Sequence, residues 1–162
     1  MTILETTLRV AAIGVIATLI LDIFNLARAK FANVPSLNFA LVGRWVLWMP
    51  KGKFLHQTIL DSPAMRFEAI VGWTIHYAIG IAFAACLLPF PGRWLETVTV
   101  IPSLIVGIGG VVAPFFIMQP SFGFGFAASK MPAPWTARQR SVVSHFVFGL
   151  GLYCAGSVVA QF

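Results

Sequence analysis

A chain of 162 residues that is 59% hydrophobic and only 10% charged, with mean hydropathy +0.89, cannot cover a water-facing surface, since soluble domains carry about 25% charged residues. The composition describes one integral membrane domain and leaves no room for a soluble module. The net charge of +6 and pI near 10.0 do not point to nucleic acid, because the basic residues cluster in alternate connections between apolar stretches.

Stretches of about 20 apolar residues match a hydrocarbon core about 30 Å thick. Four are readable, at 7–28, 69–90, 97–118 and 141–161. The first is expected to be a retained helix. It follows Thr2-Ile3-Leu4-Glu5 rather than a basic start, and its apolar run is long and contains Asp22. The connection at 29–67 holds an apolar run from Leu37 to Met49 that is too short to span and contains Arg44. It predicts an interfacial or re-entrant helix with Trp45 and Trp48 at headgroup level, ended by the turn Pro50-Lys51-Gly52-Lys53. The second span ends at Pro91-Gly92, and a short outer turn around Pro91-Gly92-Arg93-Trp94 predicts an antiparallel hairpin with the third. Pro102 and Pro114 in the third span are expected to free backbone carbonyls locally. The Gly-rich apolar run Ser121–Ala128 is expected to dip into the membrane or cap the bundle. The predicted fold is all-α: a four-transmembrane-helix bundle with interfacial or re-entrant cytoplasmic segments.

Nine of the eleven basic residues lie in the two long connections, namely Arg28, Lys30, Arg44, Lys51, Lys53, Arg66, Lys130, Arg138 and Arg140. Basic residues are retained in the cytoplasm, so both termini are predicted outside it. Cys86 and Cys154 fall inside spans at different depths, which predicts buried, inert thiols and no disulfide.

Residues four apart share a helix face. The spans show Gly14-Thr18-Asp22, His76-Gly80-Ala84 after Gly72, Gly110-Pro114-Met118, and Ser141-His145-Gly149-Tyr153. Small residues let helix backbones approach closely in lipid, so these faces are expected to meet, and packing alone is a sufficient reason for the glycines. Asp22, His76 and His145 interrupt the apolar runs, and an ionisable group in hydrocarbon needs a partner or a purpose. At 1.5 Å per residue, Asp22 is about 9 Å from Arg28, His145 about 7–8 Å from Arg140 and His76 about 12 Å from Glu68, which is one depth within the uncertainty of the span ends.

Four readings of this set stay open. The three side chains can form a satisfied cluster that only joins helices. They can relay protons or bind a small solute or ion, with Met118 and Gln119 at a cytoplasmic mouth. Two histidines and a carboxylate are also a ligand set for iron or zinc, and two histidines can hold a haem. No local metal motif, phosphate-binding loop or serine-nucleophile elbow is present, so nothing in the motifs points to an enzyme. His56, in the basic loop, is ordinarily a solvated histidine; its alternative role is a lid over the site. Tyr77 and Tyr153 read as packing aromatics. The partners implied are the bilayer and, because four helices make a narrow pore, a second copy or another membrane subunit.

The chain resembles a bacterial membrane-protein family of unknown function, domain-of-unknown-function family 2938. The resemblance rests on Asp22; Pro35-Ser36-Leu37-Asn38; Leu41-Val42-Gly43-Arg44-Trp45; Gly52-Lys53-Phe54 with His56; His76-Tyr77-Ala78-Ile79-Gly80; the run Ala113–Pro120; Gly123 with Gly125–Ser129; and His145 with Gly149–Tyr153. It covers nearly the whole chain. It implies a four-helix bacterial inner-membrane protein and no particular activity.

Overall fold

The computed structural model of the protein describes residues 1–90 and 94–162. Among them all regular structure is helical. The main elements are α1 (Ile3–Ala32), α2 (Phe39–Trp48), α3 (Glu68–Ala85), α4 (Val100–Ser121) and α5 (Pro134–Val159). All but α2 are long and apolar enough to cross a membrane, as the sequence predicts. The expected outer turn falls, except for Trp94, outside the described residues.

Local chemistry moves several helix ends from their predicted positions. The Thr2 side chain accepts a hydrogen bond from Glu5 N–H and starts α1 early. Asn33, with φ 53, caps its far end by donating to the Arg28 carbonyl. α3 stops at Ala85, where tighter bonds such as Leu87 N–H to Ala84 C=O replace the α pattern ahead of Pro89. α5 begins at Pro134, because proline fits the first turn of a helix; Arg138 and Arg140 therefore lie on the helix. The two prolines of α4 behave differently. Pro102 sits in the first turn, where its missing N–H costs nothing. Pro114 opens a π-helical turn, Pro114–Met118, and this is the break expected in the span.

The described residues gather into two compact units. The first comprises Met1–Ser36, Tyr77–Gly110 and Val143–Phe162; the second comprises Leu37–His76 and Val111–Val142.

In the first unit the core is Val10, Ile13, Ala17, Ala84, Leu87, Trp94, Leu95, Val106, Phe148, Leu152 and Ala155. Its helices approach at glycines. A Cβ on Gly14 would collide with the backbone of Ile81, and one on Gly107 with the backbone of Gly149. The small-residue faces therefore meet as expected, although Gly107 rather than Gly110 makes the closest approach of α4. Trp94 closes one end: it is 2% exposed, donates to the Thr99 carbonyl at 2.9 Å and packs where a side chain on Gly156 would stand. Cys86 and Cys154 are free thiols but exposed rather than buried. Gly151 and Ala155 occupy the buried face of α5 and leave Cys154 on the outward one.

In the second unit Val42, Ile59 and Phe122 form the core, with Phe39, Leu41, Trp45, Ile75, Met118 and Phe124 around it. The Asn38 side chain accepts from Ala40 N–H and starts α2. Gly52, with φ 75, ends the following turn at the predicted place. The two long connections pair with each other: His56 N–H donates to the Ser121 carbonyl and Ile59 N–H to the Phe122 carbonyl, each at 2.9 Å. Gly123, with φ 85, allows this, because a Cβ there would strike the Gln57 carbonyl.

Candidate functional site

The candidate residues divide between the units. Asp22 and His145 belong to the first; His76, Met118, Gln119 and His56 belong to the second.

Asp22 lies on α1 one turn beyond Thr18, whose hydroxyl donates to the Gly14 carbonyl at 2.8 Å. The Gly14–Ile81 approach brings α1 against α3, and there the Tyr77 hydroxyl donates to Asp22 Oδ2 at 3.0 Å. Asn25, on the next turn of α1, accepts through Oδ1 from the Ser144 hydroxyl of α5 at 3.5 Å, and its carbonyl accepts from the Ser36 hydroxyl at 3.2 Å. His145 follows Ser144, and its Cδ2 lies 3.1 Å from where a Cβ on Gly110 would be. Asp22, Asn25, Tyr77 and Ser144 thus form one polar zone of three helices, with His145 beside it. Tyr77 is more than the packing aromatic that the sequence suggests. The signal was available only as a tyrosine adjacent to a candidate histidine.

In the second unit the His76 ring stacks on Phe39, with centroids 3.9 Å apart and planes at 26°, and meets Trp73 edge-on at 5.7 Å. Met118 is half-buried against the Val42–Ile59–Phe122 core. Gln119 is buried, and its Oε1 has no hydrogen-bond partner among the described residues.

The strongest polar construction in this unit is one that sequence reading missed. Arg44 of α2 makes a two-pronged ion pair with Glu68, Nε to Oε2 and Nη2 to Oε1, both at 2.8 Å. Its Nη1 donates to the Ser62 carbonyl at 3.0 Å and the Ile59 carbonyl at 3.4 Å. Glu68 Oε2 also accepts from Met65 N–H at 2.8 Å. The Glu68 hydrogen bond holds the Arg44 guanidinium above even the usual arginine range, against the opposing effect of burial. Planar bidentate pairing is what a guanidinium supplies and an ammonium cannot. The pair pins the 59–68 segment to α2, and its glycine-lined approach has the same cause: a Cβ on Gly43 would strike the Glu68 carbonyl. The only sequence signal was an arginine inside an apolar run and a glutamate at the next helix start.

His56 is 5% exposed rather than solvated. Its Nδ1 lies 2.6 Å from the Ser62 hydroxyl, while Nε2 is buried with no hydrogen-bond partner among the described residues. Burial first, and then the nearby Lys53 charge, push its pKa below the ordinary histidine value. Ser62 also lines a shallow cavity of about 430 Å³ with Lys53, Gln57, Thr58 and Asp61.

Among the described residues no group of three or more His, Cys, Asp or Glu side chains is placed to hold a metal ion. Asp22, His76 and His145 do not form such a group.

A family model described as a protein of unknown function, DUF2938, matches residues 11–159. No curated protein and no solved structure matches the chain.

Proposed function

The chain belongs to the DUF2938 family, and we propose that it is a bacterial plasma-membrane protein that binds or moves a small solute or ion, with the Asp22 carboxyl group as charge carrier. The observation that carries this reading is the 3.0 Å bond from Tyr77 to Asp22, made between two helices apolar enough to cross a membrane. A charged aspartate at mid-span costs about 2.5–3.5 kcal/mol on insertion scales. Ionisable groups on spanning helices are what proton relays and ion pathways are built from, and this carboxyl group is held in place between two of them. Tyr77 orients it, and His145 of the same unit is the candidate proton acceptor. His76, Met118, Gln119 and His56 are not required by this reading.

The basic residues at the C-terminal end of α1, between α1 and α3, between α4 and α5 and at the start of α5 favour an orientation with both termini outside the cytoplasm. A phosphatase or fluorescent reporter fused after Phe162 tests this directly: activity only of the externally competent reporter is expected, and the reverse pattern refutes the orientation.

Proteoliposomes loaded with a pH-sensitive dye, under a potassium diffusion potential, test the activity. Wild-type protein is expected to carry protons inward, Asp22→Asn to abolish the flux and Tyr77→Phe to reduce it several-fold. If Asp22→Asn conducts like wild type, or if both variants lose only thermal stability, the pair serves to join helices and the proposal fails.

A further inference from the structure

The second unit carries three cations mounted on aromatic rings. Lys51 and Lys53 both lie over the Trp48 indole, 4.6 and 5.2 Å from its centroid, and Arg66 lies 4.6 Å from the Phe67 centroid. The two mountings adjoin. Trp48 Nε1 donates to the Pro63 carbonyl at 3.3 Å, and the Lys51 ammonium is 4.0 Å from the sulfur of Met65, the residue before Arg66.

Ring contacts orient these cations without neutralising them. Among the described residues none of the three takes part in an ion pair. Glu68 is committed to Arg44, and Asp61, which shares the shallow cavity with Lys53, is the remaining carboxylate of the segment. The cluster keeps a positive excess and N–H donors.

Its apolar neighbours are turned outward. Phe54 is 57% exposed and Leu55 70%. Phe67 is also 57% exposed and sits at φ 66, a left-handed conformation that a bulky side chain rarely adopts. The cause is local: Glu68 holds Met65 N–H and Arg44 together, which fixes the turn ahead of α3 and directs Phe67 away from the core. Water favours the cations but not the rings, and hydrocarbon the reverse. The boundary between lipid headgroups and acyl chains satisfies both.

We infer that Lys51 and Lys53 on Trp48, with Arg66 on Phe67, bind the phosphodiester headgroup of an anionic phospholipid, while Phe54 and Phe67 enter the acyl boundary. The inference rests on the chain being a membrane protein and is independent of the role of Asp22.

Native mass spectrometry of the full chain, released from detergent with equal phosphatidylglycerol and phosphatidylcholine, tests it. Wild-type protein is expected to retain phosphatidylglycerol preferentially, and Lys51→Gln/Lys53→Gln to lose that preference by about tenfold or more, since each basic residue near an anionic headgroup contributes about a fivefold factor. Removal of two charges elsewhere, Lys130→Gln/Arg140→Gln, is expected to leave it within about twofold of wild type. Circular dichroism is expected to show unchanged helix content in each variant. Asp22→Asn is expected to keep the lipid preference, so that failure of the transport proposal is distinguishable from failure of this one. Equal retention of both lipids, equal loss in the control variant, or binding of glycerol phosphate as tight as that of the lipid would overturn the inference.

Discussion

Each of the two units is stabilised internally, and by opposite means. The first closes through contact: glycines and alanines on apolar helices and an 11-residue apolar core. The second closes through polar direction. Arg44 gathers Glu68, Ser62 and Ile59, and two backbone bonds tie the 56–59 loop to residues 121–122. The contrast follows from what each must satisfy. A long helix satisfies its own backbone, so adding a neighbour requires only close surfaces. A connection with little regular structure leaves carbonyls and N–H groups that must find named partners.

The largest effect is therefore expected in the second unit. Arg44→Ala leaves Glu68 with an uncompensated charge beside carbonyls that have lost their donor. A loss of about 3 kcal/mol is expected, the range for breaking one partner of a desolvated pair. Replacing both partners, Arg44→Met with Glu68→Leu, is expected to recover part of it. Detergent-resisted unfolding, followed by helicity at rising SDS, measures the cycle. Equal losses in the single and double variants would show that the clamp acts through shape alone.

The first unit should respond to size, not charge. Gly107→Ala places a methyl group against the backbone of Gly149, and overpacking of this kind costs about 1–3 kcal/mol. Gly109→Ala on the same helix meets open space and is expected to be neutral or slightly stabilising, since alanine is the better helix former. The same SDS titration separates them. Indistinguishable variants would break the view that the α4–α5 approach limits stability.

The contrast also explains what was legible in the sequence. The four long helices and the meeting of small-residue faces are periodic, and Gly14, Gly80 and Gly149 announce themselves four residues from their neighbours. The α2 turn was legible because Pro50 and Gly52 have local conformational demands. Arg44 pairing with Glu68, 24 residues away, has no period and no local signature. The Tyr77–Asp22 bond spans 55 residues and depends on the rotation of two helices. His56 looked solvated because its loop is basic. Its burial comes from pairing with residues 121–122, which hydropathy does not encode.

His56 offers the smallest but most specific test of the contrast, because it asks whether the loop unit alone is acid-sensitive. Burial and Lys53 hold its pKa below the ordinary value of 6.5. As pH falls from neutrality, the ring in the unfolded chain takes up its proton first. In that interval the unfolded state binds more protons, so stability falls with pH. The contribution of the neutral ring is complete above about pH 6.5 and is lost as pH drops through the folded pKa. Protonation also places a charge beside Ser62 and on a ring whose buried Nε2 has no hydrogen-bond partner among the described residues. Thermal unfolding at pH 7.5 and 5.5 is expected to show a drop of a few degrees in wild type, roughly 2–4 °C per kcal/mol for a chain of this size, and a smaller drop in His56→Gln. Identical drops would place the acid sensitivity elsewhere and leave the second unit no more pH-dependent than the first.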